Sequence, residues 1–143
     1  MQLLLARGAD ITAGNQREKT ALHVAAGSGR VALCRFLLNN GANINAINRS
    51  KRTPISMAAE YGHIEVVRLL IEHKANLREG VSPLFDAIHS TNGRSKVEIV
   101  QLLLENGADV SAKNEFFDTP LHSAVRQHSE LIIKLLLEHG AAK

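Results

Sequence analysis

Two unrelated kinds of marker recur in this chain at one interval, and that coincidence restricts the fold more than any other feature. In the series Gly8-Ala9, Gly41-Ala42, Lys74-Ala75, Gly107-Ala108 and Gly140-Ala141, each member follows the last at the same spacing, a difference of 33 in residue number. Thr20, Thr53 and Thr119 open the stretches TALHVAA, TPISMAA and TPLHSAV; the first two keep that same spacing, and the outer two stand three such intervals apart. A chain with such a period is built from units that bury apolar surface against their neighbours, not from one core folded about a centre.

The unit is clearest over residues 53–75. Thr53 is placed to cap a helix and Pro54 to occupy its first turn, where a missing amide hydrogen costs nothing. Ile55, Ala58 and Ala59 give a short helix with a small, close-packing face. After Gly62, the apolar set Ile64, Val66, Val67, Leu69, Leu70 and Ile71 reads as a longer helix, and the tight link makes the two antiparallel. Aromatic residues are only 3% of the chain and Trp is absent, so close approach of small side chains fills the interior without large rings.

These residues and spacings resemble the ankyrin-repeat family, which has a 33-residue period and a T-P-L-H-x-A signature. The resemblance covers nearly all of residues 1–143 as one domain. It implies an all-α repeat solenoid of four helix pairs, at about 20–40, 53–73, 82–106 and 119–139, with a half repeat over 1–9 and short β-hairpin loops on one edge. Within that pattern Ser56 replaces the signature His, which is expected to weaken its local hydrogen bonding. Lys51 replaces a frequent Gly, so its turn is expected to depart from the regular form.

The third unit breaks the spacing and then restores it. Eight residue steps separate Lys74 from Ser82 where other units use 12, and 25 separate Ser82 from Gly107 where others use 21. The 76–81 finger is therefore four residues short, leaving a notch on the opposite edge of the binding strip. The four extra residues are expected in a protruding turn at 89–95, HSTNGRS, because Asn-Gly favours a tight turn.

Chemistry is sparse. No HExxH, paired CxxC, GxxxxGK[ST] or GxSxG sequence occurs, and Gly27 and Gly29 follow no strand and precede no phosphate-binding Lys. His23 and His122 occupy the signature position, where the resemblance implies a structural bond between loops. No enzyme activity, metal or cofactor is expected. Cys34 is the one cysteine and reads as an inert core thiol. A formal charge of +3, from 17 basic and 14 acidic residues, is too small and dispersed to imply nucleic acid. No apolar run suggests a membrane span.

The resemblance implies recognition of another protein by the hairpin tips and the inner, concave helix face. The matching candidates are Arg17, Lys19, Arg49, Arg52, Met57, Glu60, Tyr61, Asp86, Glu115, Phe116, Asp118, Arg126 and Gln127. Basic groups gather in the first two full repeats, while Glu79, Asp86, Glu115 and Asp118 make the later region more acidic, a gradient suited to a partner of opposite polarity. For Phe116, packing and partner contact are both open, whereas Phe117 is expected to fold back on the stack. Asn45 has two readings, a turn-stabilising side chain and a substrate for asparaginyl hydroxylation. A second functional reading is a spacer or targeting segment that orients other domains of a longer chain. The expected location is the cytoplasm or nucleus, or the host cytoplasm if the source is a bacterial effector.

Overall fold

The computed structural model describes residues 13–78 and 80–140, so the half repeat expected over 1–9 lies outside the described residues. Eight helices form four antiparallel pairs: α1 (Ala21–Gly27) with α2 (Val31–Asn39), α3 (Pro54–Glu60) with α4 (Ile64–Glu72), α5 (Pro83–Ile88) with α6 (Gly93–Glu105), and α7 (Pro120–Arg126) with α8 (Glu130–Glu138). Inner helices stack on inner helices and outer on outer along the whole array.

The inner helices begin where a hydroxyl can satisfy an orphan amide. Thr20, Thr53 and Thr119 each accept from the backbone N–H three residues on, and Ser82 accepts from Leu84 N–H. Leu22, Ile55 and Leu84, two residues after these caps, are wholly buried, as are Ala26, Ala59 and Ile88. The outer helices complete the core with Leu37, Leu70, Leu103 and Leu136 at one repeating position. Alanines on the inner row let neighbouring backbones approach closely, and this fixes the line along which the loops project.

The signature histidine joins one unit to the next. His23 is fully buried; Thr20 N–H donates to its Nδ1 at 3.1 Å, and its Nε2 lies 2.9 Å from the Arg52 carbonyl. The carbonyl requires Nε2 to carry the proton, and burial lowers the pKa so that the ring stays neutral. Ser56 does the same job with a shorter arm. Its hydroxyl donates to the Val81 carbonyl at 3.2 Å, the residue before the next cap, as Arg52 is for His23. The shortened third finger presents that carbonyl to a hydroxyl.

Three expectations require correction. No β-strand or β-hairpin occurs among the described residues. The fingers are closed loops in which Asn15, Asn48 and Asn114 fold their side chains inward: each Oδ1 accepts from the amides two and four residues ahead, as in Asn48 to Ser50 N–H at 2.9 Å and Arg52 N–H at 3.1 Å. Those amides are the donors a strand ladder would have used. Lys51 does not distort its finger either, because it takes φ 63° and the loop keeps the bonds of the Asn15 and Asn114 fingers.

The third correction concerns the four extra residues. They add a helical turn instead of a protruding loop: α6 has 13 residues where α2, α4 and α8 have 9. Asn92 sits at the N-cap and Gly93 opens the helix. A Cβ placed on Gly62 would lie 2.4 Å from the Asn92 Cβ, so the start of α6 is packed over the link of the preceding pair. The contact seats this end of α6 on the neighbouring unit.

Candidate functional site

The finger tips and the exposed side of the inner helices form one continuous strip, and the loop geometry decides which side chains it presents. In the first two full fingers the inward-facing Asn leaves Arg17, Arg49 and Ser50 exposed. The fingers are tied to each other by Arg49 N–H donating to the Arg17 carbonyl at 2.9 Å. Together with α3 they enclose a cleft of about 440 Å³ lined by Arg17, Lys19, Asn48, Arg49, Ser50, Arg52, Met57, Glu60 and Tyr61. Seven sequence-predicted candidates thus meet in one place: the four cations, Met57, Glu60 and Tyr61. Tyr61 is 47% exposed at the end of α3, while Met57 is buried beneath it on the same helix.

Arg52 ties this cleft to the interior. Its guanidinium lies 2.5 Å from Glu60 Oε2 and 3.3 Å from Asp86 Oδ1. Asp86 is only 4% exposed, and its Oδ2 has no hydrogen-bond partner among the described residues. Burial pushes its carboxyl up to about 7, with the Glu60 charge adding to the shift and Arg52 opposing it. Asp86, expected on the presented surface, is therefore a group beneath Arg52. Arg52 and Glu60 remain partly exposed on the strip.

The last repeat uses the same two positions with the charges exchanged. Asp118 precedes the cap as Arg52 does, and Arg126 stands eight residues on as Glu60 does. Arg126 pairs with Asp118 through both nitrogens, Nη2 lying 3.0 Å from Oδ1, and this bond lowers the Asp118 pKa. Gln127 donates to His89 Nδ1 at 2.9 Å and accepts from Lys96 Nζ at 3.2 Å, bridging to the third pair. These residues do not join the basic cleft.

Phe116 and Phe117 are 73% and 78% exposed. The expected folding back of Phe117 does not occur, because its φ of 62° turns the ring away at the tip of the fourth finger. The Asn45 side chain links two units instead of closing its own turn: its Oδ1 accepts from Asn76 N–H at 2.8 Å, while the local turn is closed by Asn43 Oδ1 accepting from Asn45 N–H at 3.0 Å.

Between the second and fourth fingers lies a larger cleft, about 830 Å³, lined by Ser50, Lys51, Arg52, Gly80, Val81, Ser82, Phe85, Lys113, Asn114 and Glu115. This is the notch left by the short finger, and it opens within the strip rather than on its opposite edge. Phe85, Lys51 and Lys113 were absent from the candidates. The signal for Phe85 was present in the sequence, since it stands three residues after the cap, where His23 and His122 stand in other units.

Among the described residues, no group of three or more His, Cys, Asp or Glu is placed to hold a metal ion, and no helix is long and apolar enough to cross a membrane. Cys34 is buried, and burial alone pushes its thiol up to about 11, which keeps it protonated and unreactive. A family model described as ankyrin repeats (3 copies) matches residues 1–80, 40–114 and 76–143, which together span the chain. No curated protein matches it significantly.

Proposed function

The chain belongs to the ankyrin-repeat family, and from that premise we propose that it is a recognition scaffold binding another protein along the finger tips and inner-helix face. Ankyrin repeats are non-catalytic and generally mediate binding between proteins. The observation that carries the finer reading is the cleft at the first two full fingers. Arg17, Lys19 and Arg49 make no ion pair among the described residues, yet they converge beside an exposed Tyr61. Cations held by backbone loops around an aromatic ring favour an acidic protein surface, with Tyr61 as the anchor it covers.

The test is affinity capture from the source cell with wild-type chain and with an Arg17→Ala, Arg49→Ala, Tyr61→Ala triple variant. These side chains are exposed, so the helix signal of the variant should match wild type. A partner retained by wild type and weakened about a hundredfold by the three changes supports the reading. Equal retention by both chains removes this face from consideration.

A further inference from the structure

The first two full fingers are tied to each other through backbone. Arg49 N–H, one residue past its tip Asn, donates to the carbonyl of Arg17, two residues past the preceding Asn. The same tie from second to third finger would use the Ser50 carbonyl, and from third to fourth the Glu115 N–H. The four-residue deletion removes the tip that would connect them. Among the described residues, neither group makes a hydrogen bond, and the 830 Å³ cleft separates them. The short finger is instead pinned low against its neighbour: Val81 N–H donates to the Lys51 carbonyl at 2.7 Å, and a Cβ on Gly80 would come within 2.2 Å of that oxygen.

The surroundings are specific as well. Lys51 and Lys113 are exposed and carry no ion pair among the described residues, whereas the Arg52 charge is already met by Glu60. Glu115 is the one acid among the described residues of the lining. The apolar floor is Phe85, 6% exposed.

We propose that this notch binds a short extended segment of an acidic partner protein, whose main chain takes the place of the absent finger tip. One residue of the segment donates its N–H to the Ser50 carbonyl, and the next accepts from Glu115 N–H, as Arg49 and Ser50 are disposed in the second finger. A carboxylate on the segment lies between Lys51 and Lys113, and an adjacent apolar side chain covers Phe85. Main-chain bonds supply a register and the two lysines select the charge. This inference rests on the strip being a protein-recognition surface, but it concerns a place the Arg17, Arg49 and Tyr61 changes do not touch.

The probe is a phage-displayed library of random linear dodecapeptides, with enriched sequences titrated as fluorescein conjugates. Three variants accompany wild type: a graft replacing residues 76–81 with the segment 43–52, which fills the notch; Lys51→Glu with Lys113→Glu; and the Arg17, Arg49, Tyr61 triple alanine variant. Glu18 already occupies the left-handed position equivalent to Lys51, so a glutamate there is compatible with the loop. The expected peptides pair an acidic with an apolar residue and weaken about tenfold or more on both the graft and the charge-reversed chain. They keep their affinity for the triple variant, and the Glu115 amide proton moves downfield and exchanges more slowly in the complex. Peptides insensitive to the graft and the reversal but lost on the triple variant overturn the notch while leaving the recognition strip standing. Peptides insensitive to all three sets of changes, or no enrichment at all, overturn both. Should the graft fail to fold, as judged by circular dichroism, the charge reversal and the Glu115 amide decide the matter.

Discussion

At the tip of each full finger one residue adopts a backbone conformation that its side chain opposes. Glu18, Lys51 and Phe117 have φ of 60°, 63° and 62°, and each sits three residues after the Asn that closes the loop. Left-handed backbone costs an L-residue about 1–2 kcal/mol, while glycine adopts it freely at some expense in unfolded-state entropy. At Phe117, whose ring is exposed, no packing offsets that cost. Phe117→Gly should therefore raise stability by about 0.5–1 kcal/mol, read as a higher urea midpoint with unchanged slope. A fall would show that the ring packs after all. Asp86 makes a second prediction at this scale. Its carboxyl is raised from 3.8 to about 7 in the folded chain, so between those values the native state holds a proton that the unfolded state has lost. Stability contributed by this group is full below about pH 4, declines as pH rises to about 7, and is flat above. Asp86→Asn should flatten that slope, so its melting temperature relative to wild type is higher at pH 8 than at pH 5. An equal difference at both pH values would remove Asp86 as the titrating group.

At the scale of elements, the extra turn of α6 supplies a direct discrimination. Gly93 opens a helix, has no positive φ, and a Cβ built on it meets nothing within 4 Å. Gly93→Ala should stabilise the chain by about 0.5 kcal/mol, because alanine loses less entropy on entering a helix. Destabilisation would mean that the segment is the Asn-Gly turn its local sequence suggests. The helix pairs were legible beforehand because their cap hydroxyls and apolar residues recur with the repeat whatever the loops contain. The fingers were not, although Asn15, Asn48 and Asn114 carry the same period: spacing alone does not reveal whether an amide turns inward or an edge extends into a ladder. Position 92 was misread for a related reason. Its environment is set by Gly62 in the preceding unit, and no local window around Asn92 contains that contact. Of the candidate site, the Arg17-to-Tyr61 group was readable by carrying one repeat's positions to the next. The burial of Asp86 was not, because a carboxylate reads as a surface group, although Met57 and Ser123 at the equivalent positions are buried too.

For the molecule as a whole, a linear stack makes stability depend on where in the series a residue stands, even at one structural position. The sixth residue after the cap is Ala26, Ala59 or Ile88 in the first three units, each fully buried, and Val125 in the fourth. Val125 is 53% exposed, because α7 packs on α5 and meets no further inner helix among the described residues. Ile88→Ala should then cost about 2–4 kcal/mol, since it opens a cavity at an interface between two units. Val125→Ala should cost less than about 0.5 kcal/mol, the usual range for a surface position. Repeat arrays hold together through nearest-neighbour interfaces, so the difference should extend to dynamics. In native-state hydrogen exchange, amides of α7 and α8 should open with a lower free energy than those of α3 to α6, and Ile88→Ala should lower the opening energy of the central pairs much more than Val125→Ala does. If the two substitutions cost the same, or all four pairs exchange with one opening energy in wild type and in both variants, the chain unfolds as a single cooperative body and stacking does not grade its stability.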